Sequence, residues 1–84
     1  MKNILEHANE IVFERSEEKE REYGPFNESM AKAARIASEL CNKEITTDDF
    51  FLCMMALKLS RLSHAKKYDS VLDLIAYAAA YEKQ

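Results

Sequence analysis

The chain has almost nothing that breaks a helix. In 84 residues there is one glycine, Gly24, and one proline, Pro25, and they are neighbours. So little punctuation argues against a fold of many short strands and tight turns, and it favours a few long elements with short links. Tryptophan is absent. The two cysteines, Cys41 and Cys53, form no Cys-x-x-Cys pair, and the two histidines, His7 and His64, lie far apart. That spacing argues against structural zinc and predicts two buried free thiols, which suit a reducing cytosol. No stretch approaches the about twenty apolar residues of a membrane span, and the N-terminus lacks an apolar h-region. The expectation is a cytoplasmic protein with no signal peptide and no membrane partner. Positive charge is also in short supply: 12 Lys and Arg stand against 15 Asp and Glu, a net charge of −3. That balance argues against a duplex nucleic-acid binder, but a few local cations suffice for a small anionic ligand.

What is present is helix-forming. Hydrophobic residues make up 48% of the chain and charged ones 32%, and apolar residues recur at spacings of three and four. The spacing predicts one domain over 1–84 with helices from about Asn3 to Arg21, Phe26 to Leu40, Thr46 to Ser63 and Tyr68 or Asp69 to Tyr81. Asn3 and Thr46 are N-caps, with Glu6 and Asp49 three residues on. Gly24 can take a positive φ and close the first helix. Phe26, Met30, Ala33 or Ala34, Ala37 and Leu40 form the core stripe of the second. The third helix carries Phe50, Phe51, Cys53, Met54, Met55, Leu57, Leu59 and Leu62, with few polar positions before Lys58. A helix apolar on most sides is buried on most sides. An 84-residue chain buries only roughly 60% of its unfolded surface. The fold class expected is therefore all-α, a four-helix bundle-like protomer built of helical hairpins. It assembles into a homo-oligomer, with a tetramer favoured and a dimer as the alternative, and with the third helix near the interface.

The chemistry-bearing residues cluster where the third helix ends and the fourth begins. Lys58 and Arg61 are three apart and share a face; Asp69, Asp73 and Tyr77 are four apart and form a stripe. Charged groups at the edge of a core are costly unless paired or used. Two readings stand open. In one, Lys58 and Arg61 pair directly with Asp69 and Asp73 and fix the hairpin. In the other, the groups surround a nucleotide: Lys58 and Arg61 hold phosphate, with Arg21 or Lys66 as helpers. Tyr23, Phe26 or Tyr77 stacks on a base, and Asp69, Ser70 and Asp73 meet polar edges. Metal-dependent hydrolysis needs several converging carboxylates. Asp69 and Asp73 supply one pair for Mg²⁺, but the facing helix carries cations instead of a second. No metal and no cofactor is expected outside that alternative.

Four segments together resemble a known group. They are Arg21-Glu22-Tyr23-Gly24-Pro25-Phe26, Ile45-Thr46-Thr47-Asp48-Asp49, Leu57-Lys58-Leu59-Ser60-Arg61-Leu62, and Asp69-Ser70-Val71-Leu72-Asp73-Leu74-Ile75-Ala76-Tyr77-Ala78. They resemble small phage-encoded helical proteins, which in turn resemble the all-α, MazG-like NTP pyrophosphatase superfamily. The resemblance implies an oligomeric helical bundle with ligand pockets between subunits. In the pyrophosphatases two pairs of acids on adjacent helices hold Mg²⁺. Asp69 and Asp73 match the second pair approximately, and the first pair has no counterpart. The incomplete acids make nucleotide binding without hydrolysis the leading expectation, with a Mg²⁺-dependent pyrophosphatase as the alternative and a helical protein-interaction module as a third. Phages also make small helical sponges that sequester the cyclic nucleotides of bacterial immunity (anti-CBASS proteins). By analogy of fold and size, the expected ligand is a cyclic dinucleotide, bound in the cytoplasm of an infected host. The site residues implied are Arg21, Tyr23, Gly24, Phe26, Lys58, Arg61, Asp69, Ser70, Asp73 and Tyr77.

Overall fold

The structure, a computed structural model, describes residues 2–14 and 17–84, without the side chains of Glu17, Glu20 and Tyr23. Five helices form among the described residues, and no strand: α1 (Ile4–Val12), α2 (Glu17–Tyr23), α3 (Phe26–Cys41), α4 (Thr47–His64) and α5 (Tyr68–Glu82). The caps act as the sequence leads one to expect. Asn3 Oδ1 accepts the Glu6 N–H at 2.9 Å. At α4 the Asp49 N–H donates to Thr46 Oγ1 at 3.0 Å and the Thr46 N–H returns to Asp49 Oδ2 at 3.2 Å, so two orphan donors are satisfied reciprocally. Gly24 takes φ +78° between α2 and α3. Asn42 ends α3 in the left-handed region at φ 54°, where the Lys43 N–H reaches back to the Ser38 carbonyl at 3.2 Å.

Three expectations need correction. The first helix is not continuous to Arg21. α1 stops at Val12, and the N–H groups of Phe13 and Glu14 both close on the Asn9 carbonyl. The run Glu17–Glu22 has no apolar residue, so nothing packs it in line with α1. The part of that expected helix at Arg15 and Ser16 lies outside the described residues. Cys41 and Cys53 are exposed rather than buried. Leu40 is 80% exposed rather than part of the α3 stripe, of which Met30 and Ala34 are buried as expected.

α5 is the central element. It packs on α4 along one side and on α1 along another, while α3 lies against α4. The α3 start also reaches α5: the Asn27 amide donates to the Ala80 carbonyl at 3.0 Å and to Gln84 Oε1 at 2.7 Å. The core joins Ala8 and Val12 of α1, Met30 of α3, Phe51 of α4, and Leu72, Ala76 and Ala80 of α5. Phe51 is fully buried, with Tyr77 and Tyr81 rings 6.5 and 6.0 Å from its own. Among the described residues, half of the buried apolar side chains are alanine, so the helices approach closely over a thin core. The radius of gyration is 13.5 Å, against about 12 Å for a compact chain of this length. No helix among the described residues is long and apolar enough to cross a membrane.

Phe51→Ala removes the one large side chain that is fully enclosed among the described residues. It should cost about 3–5 kcal/mol, enough to unfold a small domain at moderate temperature. Thr46→Ala should cost only about 1 kcal/mol. Thermal melts followed by circular dichroism check both, and equal effects would contradict this core.

Candidate functional site

The cations and carboxylates singled out in the sequence do meet at the α4–α5 elbow, but they divide into two sets. α4 is apolar from Phe50 to Leu57 and then presents Lys58 on the face that meets α5. Lys58 Nζ lies 2.9 Å from Asp73 Oδ2, with the lysine side chain 11% exposed and the aspartate 39%. This is a direct ion pair, mostly withdrawn from water on the lysine side. One turn further along α4, Arg61 is exposed and makes no ion pair among the described residues. One turn earlier on α5, Asp69 is exposed and Ser70 is buried.

Arg61, Asp69 and Ser70 line a cleft of about 440 Å³ together with His64, Ala65 and Lys67. The local backbone makes this space. α4 ends at His64, Ala65 turns extended with its N–H on the Arg61 carbonyl at 3.1 Å, and the chain re-enters a helix at Tyr68. Lys67 is the N-cap of α5 and gives no side-chain cap. The first N–H groups of α5 are therefore left without a helical partner, at the positive end of its dipole. Two permanent cations, a histidine and a helix start thus border the cleft, with one carboxylate among them. Its size lies within the range of small-ligand pockets.

The remaining residues stand apart from this cleft. Phe26 and Tyr77 are half-buried with ring centroids 5.8 Å apart, so each ring is already occupied by the other. Burial raises the Tyr77 phenol above its usual value; the Lys58 charge partly offsets this and the Asp73 charge adds to it. Tyr77 lies eight residues beyond Asp69, about 12 Å along the helix. Arg21 is exposed on α2, which packs on α3. Nothing lies within 4 Å of a Cβ built on Gly24, so its glycine serves the turn. The Tyr23 side chain lies outside the described residues. Sequence reasoning passed over His64 and Lys67 as lining groups. The signal was present, since both flank the link between helices whose ends carry the other candidates.

A divalent cation does not fit the acids within one protomer. Asp73 is held by an ammonium, and among the described residues no group of three or more His, Cys, Asp or Glu is placed to hold a metal ion. A second, shallower groove of about 550 Å³ opens where α3 runs into α4. Its polar rim mixes Arg35 and Lys43 with Glu39 and Glu44, so it has no dominant charge.

The two halves of the Lys58–Asp73 pair should respond unequally to truncation. Asp73→Ala leaves a buried ammonium unpaired and should cost about 2–3 kcal/mol. Lys58→Met leaves a carboxylate that water reaches and should cost less than half as much; denaturant titrations of both variants decide. The raised Tyr77 phenol sets an alkaline limit. The native state keeps this proton more tightly than the unfolded chain does. Its contribution is therefore constant below the unfolded value near 10, and stability falls as pH rises through and beyond that value. Stability measured from pH 8 to 11 should fall less steeply in Tyr77→Phe than in the parent chain.

A family model described as a domain of unknown function, DUF6378, matches residues 3–84. No curated protein and no solved structure matches the chain. The match spans all five helices and the elbow cleft, and the chain belongs to the DUF6378 family.

Proposed function

We propose that the chain binds a small phosphate-bearing nucleotide at the α4–α5 elbow and does not hydrolyse it. The observation that carries this reading is an arginine without an ion-pair partner among the described residues, Arg61, set on a cleft beside His64, Lys67 and the uncapped start of α5. Phosphate takes charge-assisted hydrogen bonds from guanidinium and ammonium groups and favours helix N-termini. Asp69 and the Ser70 hydroxyl supply acceptors for base or ribose donors. Phe26 packs on Tyr77 and Tyr68 stacks on His7, and none of these rings lines the cleft, so the reading rests on the phosphate contacts and not on base stacking.

Within this class, the resemblance to phage sponges directs the reading to a cyclic dinucleotide immune signal, sequestered in an infected cell by a homo-oligomer, tetrameric rather than dimeric. The pyrophosphatase reading, with Mg²⁺ on Asp69 and Asp73, is weakened because Lys58 already occupies Asp73.

Thermal-shift measurement against linear and cyclic nucleotides tests the proposal. A ligand at about a hundred times its Kd stabilises the native state by about 2.7 kcal/mol. Arg61→Glu should abolish that shift while leaving helicity unchanged. Pyrophosphate release from any NTP or dNTP with Mg²⁺ or Mn²⁺ would overturn the non-hydrolytic reading. No shift with any nucleotide, together with capture of a host protein, would replace it with an interaction module.

A further inference from the structure

The outer side of α4 carries a stripe that is complementary to itself. Asp49, Leu52, Ala56, Leu59 and Ser63 recur at alternating spacings of three and four residues, the repeat that keeps one seam of a helix turned to a partner helix. All five are exposed in the protomer, on the side of α4 away from the buried Phe51 and Lys58. Leu52 and Leu59 are each about half exposed, and no charged residue lies between Asp49 and Lys58. Alternating large and small positions give the stripe a centre at Ala56. Turned end for end about that point, Asp49 falls on Ser63 and Ala56 on itself, where a lone methyl lets two backbones come close, and Leu52 comes within one residue, about 1.5 Å along the axis, of Leu59.

The charges select the direction. α4 starts with Asp48 and Asp49 and is followed at its other end by the exposed Lys66, which, unlike Arg61, His64 and Lys67, does not line the elbow cleft. Two antiparallel copies set the acidic start of each beside the basic end of the other, at both ends, and their helix dipoles oppose. A parallel pair sets acid on acid and base on base. A two-fold axis through Ala56 satisfies both halves with one surface, as a closed dimer requires.

We propose that this face joins two copies of the chain as an antiparallel pair of α4 helices, related by a two-fold axis at Ala56. This deepens the oligomer part of the reading above and is independent of its ligand. The test therefore uses ligand-free protein, so that failure of one does not count against the other. Sedimentation equilibrium should give the mass of a dimer or of a multiple of it. Leu59→Lys places a cation in the seam and should weaken association at least about tenfold, with unchanged circular dichroism because the side chain is exposed in the protomer. Register is read by cysteine cross-linking in a Cys41→Ser, Cys53→Ser background. Ala56→Cys should form an intermolecular disulfide under mild oxidation. Leu52→Cys should not, because antiparallel pairing separates the two copies of residue 52 by about 12 Å along the axis. If Leu59→Lys loses helicity, the two cysteine variants alone decide. A chain that stays monomeric at every concentration, a dimer indifferent to Leu59→Lys, or a Leu52→Cys variant that cross-links as readily as Ala56→Cys overturns the proposal.

Discussion

A lysine ammonium held against a single carboxylate governs the geometry of the elbow. Lys58 comes at the end of eight apolar residues on α4 and is nearly enclosed by α5. Removing such a charge from water is costly, and among the described residues Asp73 is the one ion-pair partner that offsets the cost. A slip of one helical turn between α4 and α5, about 5.4 Å, would separate the pair and strand the ammonium. The ion pair therefore fixes the register of the two helices. That register turns Arg61 outward one turn later and leaves Asp69 one turn earlier on α5, with the extended link between them. The cleft is what remains when one of two possible ion pairs is made and the other is not.

The helices were legible because local rules set their ends: Thr46 with Asp49, Asn3 with Glu6, and Gly24 at the turn each satisfied a backbone need that the residue type announces. The break after Val12 was not legible. An unbroken charged run has full helix propensity, and only the lack of a packing partner stops it from extending α1. The site was half legible. Spacing brought Lys58 and Asp73 to facing stripes but could not tell a closed pair from an open pocket, because that depends on how far apart the two helices sit. Phe26 and Tyr77 carried the right chemistry for stacking. Periodicity alone could not reveal that each ring would find the other across the α3–α5 contact.

The small side chains explain why so much apolar surface stays outside. Ala8, Ala34, Ala76 and Ala80 let the helices approach, but they fill little volume, so the larger groups of α4 and α3 do not all find a place inward. Leu52, Leu57 and Leu59 on α4, and Ile36 and Leu40 on α3, are exposed as a result. The interior is anchored instead by Phe51 and its ring of tyrosines. The result is a thin core with apolar flanks.

The contact of α1 with α5 joins distant parts of the chain: His7 and Tyr68 meet although they are 61 positions apart, whereas α4 and α5 are joined by a three-residue link. Closing so long a loop costs more entropy than closing a hairpin. The α4–α5 hairpin can therefore assemble by local search, with α1 arriving last as a latch. In the growing polypeptide α1 emerges well before α5, so its apolar side (Ile4, Ala8, Ile11, Val12) stays uncovered until α5 has been made.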